Sequence, residues 1–235
     1  MNYRSIINKG VTILKNNSIR TANLDAEILL SKSLNKTREE IILNLEEKLN
    51  INQINHYYKL INRRKKKEPI SLIIKKKYFW KSEFVVNKNV LTPRFETEFL
   101  VEEVLKIYKL SKKIHVLDIG LGSGCILISL LKERNIWQGT GLDISSLAIE
   151  TAKTNAKIQQ VHNRIKFIKS DIDKFYIGKY DLIVSNPPYI NKIGYNKLDI
   201  GVKGYEPKKA LYGGIDGFKV IEKVIKKSRI ILKNS

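Results

Sequence analysis

His115-Val-Leu-Asp-Ile-Gly-Leu-Gly-Ser-Gly-Cys-Ile-Leu-Ile128 reads as an apolar strand, a turn with three glycines and the start of an apolar helix. Gly120, Gly122 and Gly124 allow backbone angles closed to other residues and let a ligand lie against the main chain, while a helix starting at Gly124 offers unpaired N–H groups. A glycine-rich turn alone is weak evidence. Asp143 strengthens it, because an acidic residue ending the next strand, about 20 residues on, is placed to accept both hydroxyls of a ribose. The two features together predict an open α/β domain that holds an adenosine-containing ligand.

Working outward, strands are expected at 114–119, 139–143, 165–169 and 180–185, with helices at 97–108, 125–134, 146–159 and about 217–231. Such alternation points to a parallel sheet covered on both faces. Upstream, from Asn2 to Lys67, the period is helical: Ile6, Ile7, Val11 and Leu14 form one stripe, and Leu24, Ile28, Leu29 and Leu34 a second. Further helices are expected at 38–45 and 51–64. Between these regions, β-branched and aromatic residues in 70–78 and 84–90, separated by Lys81-Ser82-Glu83, predict a hairpin. The expected organisation is a helical domain over 1–67, a β-hairpin linker over 68–91 and an α/β domain over 92–235.

Composition narrows the class. Of 235 residues, 43% are hydrophobic and 29% charged, which excludes wholesale disorder, collagen-like repeats and a disulfide scaffold. Cys125 is the single cysteine, and His56, His115 and His162 lack ligand spacing, so no Cys/His zinc site is expected. The N-terminus lacks an apolar signal core and no apolar run reaches the roughly 18 residues of a membrane span, so a cytoplasmic address and no membrane partner are expected. The formal charge of +21 suits an anionic partner such as nucleic acid or a ribosome-associated complex. It equally suits the Lys, Asn and Ile bias of an AT-rich genome. The densest run, Arg63 to Lys67, is read as the solvated end of a helix.

The strongest chemical signal is Asn186-Pro187-Pro188-Tyr189, at the carboxyl end of an expected strand, where open α/β sheets bind ligands. An amide or exocyclic amine delocalises its nitrogen lone pair and is a poor nucleophile until its N–H groups meet well-placed acceptors. The Asn186 side-chain carbonyl and the Pro187 backbone carbonyl supply two. Successive prolines stiffen that array, and Tyr189 can pack on a flat substrate group. Asp-x-Gly-x-Gly-x-Gly moreover differs from the dinucleotide spacing and resembles motif I of class I methyltransferases that use S-adenosylmethionine.

With these motifs in place, the chain resembles the peptide chain release factor glutamine N5-methyltransferases (HemK/PrmC type) along nearly its whole length. The matching stretches include Asp25-Ala-Glu-Ile-Leu-Leu, Arg63-Arg64 with Glu68-Pro69-Ile70, Leu91-Thr-Pro-Arg-Phe-Glu-Thr-Glu98, Tyr205-Glu-Pro, Ala210-Leu211 and Gly213-Gly214-Ile-Asp-Gly217, besides the two motifs above. The resemblance implies a class I methyltransferase (Rossmann-like) domain behind a small all-α domain and a hairpin, and methylation of the glutamine in the Gly-Gly-Gln motif of bacterial release factors. By the same resemblance Gly120, Leu121, Gly122, Ser123, Gly124 and Asp143 bind S-adenosylmethionine, Asp171 and Ile172 meet the adenine, and Asn186 to Tyr189 hold the substrate glutamine. Arg94, Glu96 and Thr97 match a signature near the cofactor entrance, where an interdomain salt bridge or helix cap would explain them as well. A monomer acting on release factors near the ribosome is expected, with direct nucleic-acid binding left open.

Departures from the pattern are few. Leu121 replaces a small polar residue, which is expected to cost a hydrogen bond without blocking the site, and Ile172 stands where an aromatic residue can occur. Relatives continue past residue 235 with further strands of the sheet. The expectation is therefore a sheet lacking its C-terminal strands, with the 180–185 strand exposed as an edge and the fold weakened, partly restored by cofactor. Two other readings fit the motifs. An N6-adenine DNA or RNA methyltransferase would use the same tetrapeptide on an exocyclic amine, and an inactive remnant would bind its partner without turnover.

Overall fold

The computed structural model describes residues 1–108 and 112–233, which divide into two compact units: Met1–Ile74 with Ile200–Tyr205, and Lys75–Asp199 with Glu206 onward. In the first unit the helical stripes become α1 (Tyr3–Lys15), α2 (Ala22–Leu34), α3 (Arg38–Leu43), α4 (Ile51–Lys65) and α5 (Ile70–Ile74). Their starts are locally encoded. Asn2 caps α1 by accepting from Ser5 N, while Thr37 with Glu40 and Asn50 with Gln53 form reciprocal capping boxes on α3 and α4. Ile6, Leu14, Leu29, Leu30, Ile41, Tyr57 and Ile61 are buried together between them.

Two expectations need correction in this unit. Ile70–Ile74 opens no strand of the hairpin; it is the helix α5, with the Pro69 carbonyl accepting from Leu72 N and Ile73 N. A short apolar run fits either period, and burial of Leu72 and Ile73 outweighs the strand preference of the isoleucines. The basic run does end a helix, but it is only partly solvated. Arg64 Nε lies 2.6 Å from the buried Asp25 carboxylate, which also accepts from the Thr21 hydroxyl, and Arg63 pairs with Glu68.

The second unit begins with an antiparallel pair, β1 (Lys76–Phe79) and β2 (Ser82–Val85), shorter than the expected strands, the first starting later than 70–78 and the second ending earlier than 84–90. There follow α6 (Glu98–Ile107), β3 (His115–Ile119), α7 (Cys125–Glu133), β4 (Gln138–Asp143), α8 (Ser146–Ile158), β5 (Ile165–Lys169) and β6 (Leu182–Ser185). Short helices α9 (Lys192–Asn196), α10 (Ile200–Lys203, part of the first unit) and α11 (Lys208–Leu211) lead to α12 (Lys219–Ile231). Six consecutive residues of α7, Ile126–Leu131, are buried, and Val116, Leu117 and Val184 are buried in the sheet itself.

The sheet is parallel, in the order β5-β4-β3-β6. Strand order reverses between β3 and β6, so the loops leaving these two strands open onto one crevice, the place where such sheets bind ligands. Among the described strands β6 pairs with β3 alone. Just before it, Tyr180 N donates to Ile231 O and Tyr180 O accepts from Lys233 N, so the chain leaving α12 runs parallel beside the start of this edge.

Candidate active site

At the end of β3 the chain turns with positive φ at Gly120 (80°), Gly122 (56°) and Gly124 (78°), a path that side chains would strain. Backbone and side-chain bonds hold the turn from several sides. Gly120 N and Leu121 N both donate to Leu142 O, and Gly122 N donates to Asp143 Oδ2 at 2.9 Å. The fully buried Asn155, on α8, donates to Ser123 O at 2.9 Å and exchanges two bonds with the backbone of Val85. One amide thus ties the loop to the β1–β2 pair.

Leu121 has a structural reason. Its side chain is buried and lies over Gly141 on β4, so closely that a Cβ there would come within 2.6 Å of it. Because its N–H still bonds Leu142 O, the departure from a small polar residue costs the loop no backbone bond.

Asp143 does more than the sequence predicts. Oδ2 accepts from Gly122 N, and Oδ1 accepts from Ser145 N at 2.8 Å, at the start of α8. Each carboxylate oxygen carries a second lone pair, so the group can brace the loop and still accept hydroxyls from the crevice. Nearby Asp118 is buried with both oxygens lacking a hydrogen-bond partner among the described residues. Burial, with a lesser contribution from the Asp143 charge, pushes its carboxyl up to about 8. Burial likewise pushes the Cys125 thiol up to about 12, as suits a core residue at this helix start rather than a reactive one.

The crevice is a cavity of about 1230 Å³. Gly120, Leu121, Gly122, Ser123, Asp143, Asp171, Ile172, Asn186 and Pro188 all line it, so the structure brings both sequence motifs to one space. Gly124, Pro187 and Tyr189 are not among its lining residues, and the Tyr189 ring is largely exposed. The glycine turn, the spare acceptors of Asp143 and the apolar Ile172 fit a ligand with an adenosine end.

The expected salt bridge or cap at Arg94 and Thr97 needs correction: the Arg94 pair lies within the second unit and not between domains, and the Thr97 side chain caps no helix. The Asn186 Nδ2 donates to the Thr97 hydroxyl at 3.1 Å, which leaves Oδ1 without a protein partner among the described residues. Arg94 pairs at 2.6 Å with Glu206, whose carboxylate is buried; burial raises its pKa and Arg94 opposes the rise. Gly213 and Gly217 back the tetrapeptide. A Cβ on Gly213 would meet Pro188 O at 2.5 Å, and one on Gly217 would meet Tyr189 O at 2.4 Å. Ile190 is bonded on both sides to this strip, through Leu211 O and Gly213 N. The Gly-Gly-Ile-Asp-Gly spacing marked the strip, but not what it touches.

Comparison with known proteins agrees with this architecture. Residues 5–74 match the PrmC N-terminal domain model and residues 95–200 the methyltransferase small domain model. A release factor glutamine methyltransferase of Caulobacter vibrioides is 40% identical over 205 residues, 87% of this chain and 71% of that protein. A bifunctional methyltransferase of Rickettsia bellii is 37% identical over 95% of this chain, which spans about half of that protein's length (46%). A solved methyltransferase of Thiobacillus denitrificans, in complex with S-adenosyl-L-homocysteine, is 31% identical over 36% of this chain and 34% of its own, with a TM-score of 0.33.

Proposed function

The chain belongs to the release factor glutamine methyltransferase family, and from that premise we propose that it methylates the side-chain amide nitrogen of the glutamine in a release factor's Gly-Gly-Gln motif. Asn186 carries the reading. It lines the same cavity as the glycine loop, with its amide nitrogen engaged and its carbonyl oxygen open to accept an N–H.

S-adenosylmethionine supplies a methyl group on a positively charged sulfur, which departs with the bonding electron pair. Asp143 would accept the ribose hydroxyls, the backbone at Gly120–Gly124 would lie along the methionine end, and Asp171 with Ile172 would border the adenine. Asn186 Oδ1 and the Pro187 carbonyl would accept the two N–H groups of the substrate amide and aim its nitrogen at the methyl carbon. The nitrogen then sheds one proton to solvent, so no strong base is required. Because the donor is already activated, alignment does most of the work, and holding the reacting atoms together is worth up to about 7–11 kcal/mol in favourable cases.

The test is intact mass analysis of a release factor incubated with this chain and S-adenosylmethionine, beside a substrate whose Gly-Gly-Gln glutamine is replaced. Gain of one methyl group on the intact substrate alone is expected. Methyl incorporation into nucleic acid instead, or binding of the release factor without transfer, would overturn the proposal.

A further inference from the structure

We propose that Thr97 is a positioning residue for the transfer: its hydroxyl holds the Asn186 amide with Oδ1 turned to the substrate, an inference that rests on the methyl-transfer reading of the site. An asparagine side chain has two unlike ends, a donor and an acceptor of nearly equal size, on a terminal torsion that sterics restrain weakly. Turned the wrong way, Asn186 would point N–H groups at the N–H groups of the substrate amide. Something must fix the end that faces the cavity, and packing by shape cannot do it.

Thr97 is built to do so. It stands just ahead of α6, where a threonine ordinarily spends its hydroxyl capping the helix, yet its backbone is helical (φ −72°, ψ −17°) and its side chain makes no capping bond. The hydroxyl instead accepts from Asn186 Nδ2 at 3.1 Å, across 89 residues of sequence. Both side chains line the cavity. β-Branching restricts the Thr97 χ1, which holds the hydroxyl oxygen in place against Nδ2, the end of the amide that the structure sets beside it. The turn is pinned on both flanks as well: Glu98 Oε1 accepts from Trp80 N at 2.8 Å, and Arg94 is paired with the buried Glu206.

Thr97→Val keeps the shape and removes the acceptor, whereas Thr97→Ser keeps the hydroxyl. For Val, kcat for methylation of a release factor should fall about tenfold, the equivalent of one orienting hydrogen bond, with the Kd for S-adenosylhomocysteine unchanged; Ser should restore most of the rate. An independent readout is the ¹⁵N side-chain amide signal of Asn186 in the S-adenosylhomocysteine complex, identified by its loss in Asn186→Asp. That signal should move in the Val variant and stay in the Ser variant. An unmoved signal, or a Val variant that loses cofactor affinity in step with rate, overturns the role of Thr97. Should wild-type protein fail to methylate any release factor, the proposed function falls, and the amide signal still decides whether Thr97 sets Asn186.

Discussion

The two halves of the crevice are held in different ways. The glycine loop is fixed mainly by its immediate surroundings: the adjoining strand through Leu142 O, the Asp143 carboxylate and the helix that follows β4 through Asn155. The Asn186 loop instead depends on segments far away in sequence, Thr97 ahead of α6 and the strip from Leu211 to Gly217. The glycine loop and the groups that hold it can thus be encoded within 115–155, whereas the Asn186 amide needs the rest of the unit to be folded around it. Damage to the first should appear in cofactor binding, and damage to the second in turnover.

The sharpest way to break this contrast is Asn186→Ala. We expect turnover to fall by about 10²–10³-fold, as when one preorganised hydrogen-bonding group is removed from an active site, while the Kd for S-adenosylhomocysteine changes little. Calorimetry beside single-turnover kinetics would show it, and equal losses in both would erase the distinction. Asp143→Ala is the mirror case. Losing the acceptor of two ribose hydroxyls should weaken cofactor binding by roughly thirtyfold to 150-fold, at about 1–1.5 kcal/mol per bond, and the brace on Gly122 N is lost with it. An unaltered Kd would refute the assignment.

Gly213→Ala tests whether the strip matters through shape alone. The added methyl would press on Pro188 O and Tyr189 Cα, and overpacking of this kind costs about 1–3 kcal/mol. A fall in kcat of about tenfold with cofactor affinity preserved is expected; a fall in affinity alone would place the strip in the other half of the site. The last test leaves turnover aside and reads stability at Asp118. Its carboxyl is raised to about 8 in the fold from an ordinary value of 3.8, so the folded state binds the extra proton and stability should decline as pH rises between those values. Thermal melts of Asp118→Asn against wild type across that range should show a flatter profile in the variant. Parallel profiles would mean that Asp118 does not carry the decline.

This division also marks how much could be read beforehand. Strand, glycines and Asp143 mark the crevice because they are neighbours in the chain, and the tetrapeptide marks its other wall because it follows a strand directly. Nothing local announces that Thr97 reaches Asn186, that Gly213 makes room for Pro188, or that Leu121 fills the space above Gly141. Those are packing facts, fixed only once separate elements meet. The Ile70–Ile74 misreading has the same origin: four apolar residues and a serine fit either period, and burial within the first unit decides between them. Arg64 shows it with charge, since a basic run reads as solvated until the buried Asp25 is found beside it.

The contact between Leu121 and Gly141 carries a consequence for inheritance. Volume gained on β4 must be surrendered in the loop, so position 141 cannot grow while position 121 keeps its leucine. A lineage that acquired alanine at 141 would pass through a crowded intermediate unless the loop residue had already shrunk. The order of the two changes is therefore constrained, with the loop changing first and the strand second.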